Sequence, residues 1–91
     1  MEVDELEWDE ANIEHCARHE LTPTVAESVR TGAPKLFPNG EGKTGSHVMV
    51  GPNEVGRYWT VILLDLGNGK YRPITGWPST NTEIRHYRSE S

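Results

Sequence analysis

Residues 57–77 read RYWTVILLDLGNGKYRPITGW, and this stretch decides the fold. Arg57 to Leu66 is aromatic and β-branched, and a run this apolar belongs to a central strand with both faces covered. Asn68-Gly69 supplies the two positive-φ positions of a type I′ turn, so a hairpin is predicted. Its second strand runs from Lys70 to about Trp77 and alternates Tyr71, Pro73 and Thr75 with Arg72, Ile74 and Gly76. Pro73 has no N–H to give a neighbouring strand, which predicts an edge or a bulge there.

On the C-terminal side of the hairpin, Pro78 stops the strand. Thr80 and Glu83 fit a capping box, each satisfying a free N–H of the other, and this opens a helix through Tyr87. On the N-terminal side, His47 to Val50 reads as a short strand closed by Gly51-Pro52-Asn53. Residues 32–45 are dominated by Gly, Pro, Asn and Lys, with Leu36-Phe37 as the apolar pair, and predict a surface loop with room for a short edge strand. Thr22 directly before Pro23 starts a helix over 23–31. Asp9 caps an earlier helix of about 10–19, on which Ile13, Cys16 and Ala17 recur, and Leu6 and Trp8 alternate with acids as a very short strand entering it. The expected architecture is α+β and a single domain over residues 1–91. It has two N-terminal helices, an antiparallel meander of three to four strands, and a C-terminal helix packed on the sheet.

The net charge of −5 argues against a general polyanion binder, because Lys and Arg contacts to phosphate dominate nucleic-acid affinity. The charge is unevenly spread. Residues 1–20 hold eight acids against one base, whereas Arg57, Lys70, Arg72, Arg85 and Arg88 all fall in the last 35 residues. One end repels phosphate and the other is able to accept it. The lone Cys16 excludes an intramolecular disulfide and fits a reducing, cytoplasmic setting. No apolar run approaches the roughly 18 residues of a membrane span, so no membrane association is expected. His15 and His19 stand four apart but lack a third ligand, and neither a metal nor a cofactor is expected.

Packing Ile84 and Tyr87 against the sheet would bring Arg85, His86 and Arg88 toward Arg57 and Arg72, beside Tyr58, Trp59, Tyr71 and Trp77. RNA cleavage without a metal needs a base for the 2′-hydroxyl, cations for the pentacoordinate phosphate and an acid for the leaving oxygen. His86 or Glu83 would move protons, Arg72 and Arg85 would hold phosphate, and Tyr58 or Trp77 would stack a base. The competing reading is a solvated helix face beside core aromatics.

Leu6-Glu7-Trp8-Asp9-Glu10-Ala11 and Arg18-His19-Glu20-Leu21-Thr22 resemble the opening motifs of the BrnT family of bacterial toxins. Arg72-Pro73-Ile74-Thr75-Gly76-Trp77 resembles that family's Arg-x-Ile-Ser-Ala-Arg strand, and Glu83, Arg85 and Tyr87 match its last helix. The resemblance spans nearly the whole chain except residues 32–45. It implies a RelE-like fold, RNA cleavage without a cofactor, and a neutralising antitoxin. It points to His19, Arg72, Thr75, Glu83, Arg85 and Tyr87 as site residues. Trp77 stands where the family commonly has an arginine, Ile84 replaces another basic position and Glu20 replaces a glycine, which marks a divergent member.

Two functions follow as expectations. One is a toxin-like endoribonuclease with an RNA substrate and an antitoxin partner, in which Arg57, Tyr58, Trp77, Arg88, His19, Thr75 and Tyr87 line the RNA. The other is a catalytically inactive interaction module of the same fold, whose acidic N-terminal segment docks on a basic partner. A homodimer or a toxin–antitoxin hetero-oligomer is the assembly either would form.

Overall fold

A computed structural model describes residues 3–40, 42 and 44–89. In chain order the elements are β1 (Glu5–Leu6), α1 (Glu10–Ala17), α2 (Pro23–Thr31), β2 (Lys35–Pro38), β3 (His47–Pro52), β4 (Tyr58–Gly67), β5 (Lys70–Pro78) and α3 (Asn81–Ser89). The α+β class is as expected. The sheet, however, has five strands in the order β1-β5-β4-β3-β2 rather than three or four, and β1 lies parallel to β5. β1 is the very short strand expected around Leu6, but no local pattern reveals its place in the sheet, because its partner is more than sixty residues away.

The local signals act as their chemistry requires. Asn68 and Gly69 take φ of 57° and 80°, the left-handed conformation of the tight turn between β4 and β5. Thr22 Oγ1 accepts from Val25 N at 3.2 Å, with Pro23 in the first turn of α2. Asp9 accepts from Asn12 N while the Asn12 side chain accepts from Asp9 N, a reciprocal cap on α1. The first helix ends at Ala17, two residues short of the expected end. Glu20 adopts φ 66° and Leu21 N donates back to the Cys16 carbonyl, which closes the turn.

One side of the sheet is covered by α1 and α2. Leu6, Cys16, Leu21, Ala26, Val29, Met49, Trp59, Val61, Leu63 and Tyr71 form that core. The register places the odd residues Trp59, Val61 and Leu63 of β4 on this side and Tyr58, Thr60, Ile62 and Leu64 on the other. On that second side α3 crosses the strands from β5 toward β2. Near its start Glu83 bonds Thr60 and Trp77, and at its end Tyr87 OH donates to the Ala33 carbonyl. No residue of α3 is fully buried, and Ile84 and Tyr87 are half-buried. Part of the second side stays uncovered, leaving Leu64 39% and Leu66 42% exposed. None of the described helices is long and apolar enough to cross a membrane.

Candidate nucleic-acid interface

The decisive feature of β5 is a bulge. Ile62 pairs with Thr75 but Leu63 pairs with Pro73, so Ile74 is an extra residue on the β5 side. Pro73 donates nothing to the ladder, and its carbonyl instead accepts Asn12 Nδ2 at 3.0 Å. Simple alternation places Arg72 opposite Thr75. The extra residue reverses the phase, so Arg72, Thr75 and Trp77 share the uncovered side, level with Leu64, Ile62 and Thr60 of β4.

Above this row lies a cleft of about 350 Å³, bounded by Trp77, Thr75 and Glu83 on one side and by Asn39 and Thr44 on the other, over Ile62. The Trp77 ring is fixed there, because its Nε1 donates to Glu83 Oε1 at 3.0 Å and to Oε2 at 3.2 Å. Glu83 Oε1 also accepts from Thr80 N at 2.8 Å and from Thr60 Oγ1 at 3.0 Å. With three donors on one oxygen, this carboxylate caps α3 and anchors an indole, and it is poorly placed to take a proton from a 2′-hydroxyl.

Arg72 is engaged from the N-terminal segment. Its fork meets Asp9 in a bidentate pair, Nη1 to Oδ2 at 2.8 Å and Nη2 to Oδ1 at 3.1 Å, with Glu7 at 3.5 Å. Those bonds, followed by that from the Asn12 amide, hold the Asp9 carboxyl below its ordinary value. Lys70 Nζ stands 3.7 Å from both Glu5 and Glu7.

A second basic and aromatic group forms where α3 ends. The Tyr58 and Tyr87 rings meet edge-on at 5.3 Å, Arg88 lies over Tyr58 at 5.8 Å, and Lys35 Nζ donates to the Tyr87 carbonyl at 3.0 Å. Arg85 is exposed on α3 and bonds Thr82 of its own helix.

The expected convergence of the four arginines does not occur. Tyr58, under Arg88, and Leu64, beside Arg72, are six residues apart on β4, which is about 20 Å. Arg57 lies over Trp59, whose ring belongs to the core side, so it is separated from the row by the thickness of the sheet. His86 packs on Phe37 of β2 with ring centres 4.6 Å apart, and β2 is three strand spacings, about 14 Å, from β5. His19 is exposed just beyond α1, edge-on to His15 at 5.9 Å. Arg72, Thr75, Trp77 and Glu83 are therefore brought to one face, Tyr58, Tyr87 and Arg88 to its far end, and Arg57 and His19 to neither. Among the described residues no three of His, Cys, Asp or Glu are grouped to hold a metal.

Sequence reasoning missed Asn12, Asp9 and Glu7 as partners of this face. A signal was present, since Glu5, Glu7 and Asp9 recur at every second residue, as do Lys70 and Arg72. No family model, curated protein or solved structure matches the chain.

Proposed function

We propose that this protein binds single-stranded RNA along the uncovered side of β5, with Trp77 as the stacking platform for a base and Arg72 and Lys70 as the phosphate contacts. The observation that carries the reading is the bulge at Pro73–Thr75. It aligns a cation, a hydroxyl and a fixed indole on one open strand face beside a cleft. An aromatic ring combined with a basic row suits single strands, because every base has a face to stack and the backbone needs only cations. A duplex keeps its bases paired and stacked, and has no free base face to give the ring.

The reading keeps the RNA target implied by the resemblance to the BrnT toxins. Support stops at binding, because His86 lies across the sheet from Arg72 and Glu83 is committed to its four hydrogen bonds. Cleavage by these groups has no geometric backing.

Indole N–H signals in a ¹H–¹⁵N spectrum test the reading. The chain has three tryptophans, and Trp59, in the core, serves as the internal reference. Adding a short unstructured RNA at low salt should move the Trp77 signal and leave that of core-facing Trp59 in place. Equal movement of all three, or none, would contradict it.

A further inference from the structure

The cations of the proposed RNA face are covered by the protein's own chain. Extended backbone puts Glu5, Glu7 and Asp9 on one side of the N-terminal segment, about 6.6 Å apart. The parallel pairing sets Glu5 opposite Lys70 and Leu6 opposite Tyr71, and Glu7 N continues the ladder to the Tyr71 carbonyl. Three regularly spaced anions thus lie along two cations of an open sheet face. An arginine fork accepts carboxylate and phosphate in the same two-point geometry.

We propose that residues 5–9 act as an intramolecular stand-in for an RNA backbone, holding Lys70 and Arg72 closed until a polyanion displaces their carboxylates. The proposal rests on the RNA-binding reading above and adds how that face is regulated. Displacement needs only rotation of the Glu5, Glu7 and Arg72 side chains, so that Asp9 keeps its cap on α1. The Glu5 and Asp9 side chains are 65% and 54% exposed, whereas the main chain stays docked through buried Leu6 and the Asn12 bond to the Glu7 carbonyl. The Lys70 pairs with Glu5 and Glu7 are long and exposed, and so weak. The bidentate Arg72–Asp9 pair yields to a phosphate because phosphate offers the fork the same two-point geometry.

The test is a Glu5→Gln/Glu7→Gln/Asp9→Asn variant. Glutamine keeps the side-chain size, and asparagine still caps α1. Binding is measured by titration with a fluorescein-labelled single-stranded RNA and, separately, with heparin as a polyanion without bases. The variant should bind both roughly tenfold more tightly than the native chain, with a salt slope steeper by about 1.4 for two added phosphate contacts. Adding Lys70→Gln and Arg72→Gln should abolish the gain for both ligands, leaving affinities at or below the native level. A Glu14→Gln/Glu20→Gln/Glu54→Gln control changes net charge equally at exposed sites elsewhere and should gain less than about threefold. Asp9→Asn alone, with an expected gain of about threefold, carries the test if the triple variant does not fold. Equal affinity of variant and native chain for both ligands, or an equal gain from the control, overturns the proposal. If RNA binds both alike and heparin shows no gain, the RNA reading survives without the masking. If heparin shows the gain while RNA binds neither protein, the masking stands and the RNA reading falls.

Discussion

Asn12 Nδ2 donates to the Pro73 carbonyl at 3.0 Å, across 61 positions of sequence. The same amide donates to the Glu7 carbonyl at 2.9 Å and accepts from Asp9 N at 2.8 Å. One buried side chain therefore fixes the N-terminal segment, the first turn of α1 and the bulge that sets the phase of β5. Replacing it with alanine leaves the buried Pro73 carbonyl and the part-buried Glu7 carbonyl and Asp9 N–H without this partner. Asn12→Ala should lower unfolding stability by about 2–3 kcal/mol, read from urea denaturation. A loss below about 0.5 kcal/mol, the size of an ordinary surface change, would show that the bulge stands without it.

Glu20 holds φ 66° at the end of α1, where a side chain is disfavoured. Relief of left-handed strain, offset by glycine's greater loss of freedom, predicts that Glu20→Gly stabilises by about 0.5–1 kcal/mol. A higher urea midpoint with unchanged m-value is the expected result.

Asp9 sets a pH dependence of definite sign. Its folded-state pKa is depressed, first by the Arg72 hydrogen bonds, so its contribution is present above the ordinary carboxylate value of about 3.9 and is lost as pH falls through the folded value. Stability should decline below about pH 5, and Asp9→Asn should flatten that decline while matching the native chain more closely at low pH than at pH 7. Urea midpoints between pH 2.5 and 7, chosen to bracket about 3.9, would show it. Parallel curves for the two proteins would mean that other carboxylates carry the acid sensitivity.

Glu83 separates anchoring from proton transfer. Glu83→Ala removes the acceptor for Trp77, Thr60 and Thr80, and should lower stability by about 1–2 kcal/mol and shift the Trp77 indole signal. Glu83→Gln keeps the oxygen that takes three of those bonds, so RNA affinity should stay within about threefold. Cleavage activity abolished by Glu83→Gln with affinity unchanged would restore a catalytic role to this carboxylate.

How much of this was legible in the sequence follows the range of each signal. Thr22-Pro23, Asn68-Gly69 and Thr80 with Glu83 are readable because each acts within four residues, and all three work as read. Pro73 announced an irregularity but not its phase, and that phase decides whether Arg72 joins Thr75 and Trp77 or faces away. The β1 pairing and the acid row on Lys70 and Arg72 depend on contacts more than sixty residues apart. The side taken by Arg57 was hidden for a related reason. It lies just before the first residue of β4, where alternation begins, and its guanidinium settles on the ring of Trp59.

The central claim is that Arg72 and Trp77, on one strand face, hold single-stranded RNA. Its most direct test is an anisotropy titration of a labelled unstructured RNA at low salt with the native chain, Trp77→Ala, Trp77→Phe and Arg72→Gln. Loss of one stacked base predicts an affinity drop of about tenfold or more for Trp77→Ala, with most affinity kept by Trp77→Phe and a shallower salt slope for Arg72→Gln. Native affinity in both Trp77→Ala and Arg72→Gln, with all four proteins folded, would contradict it.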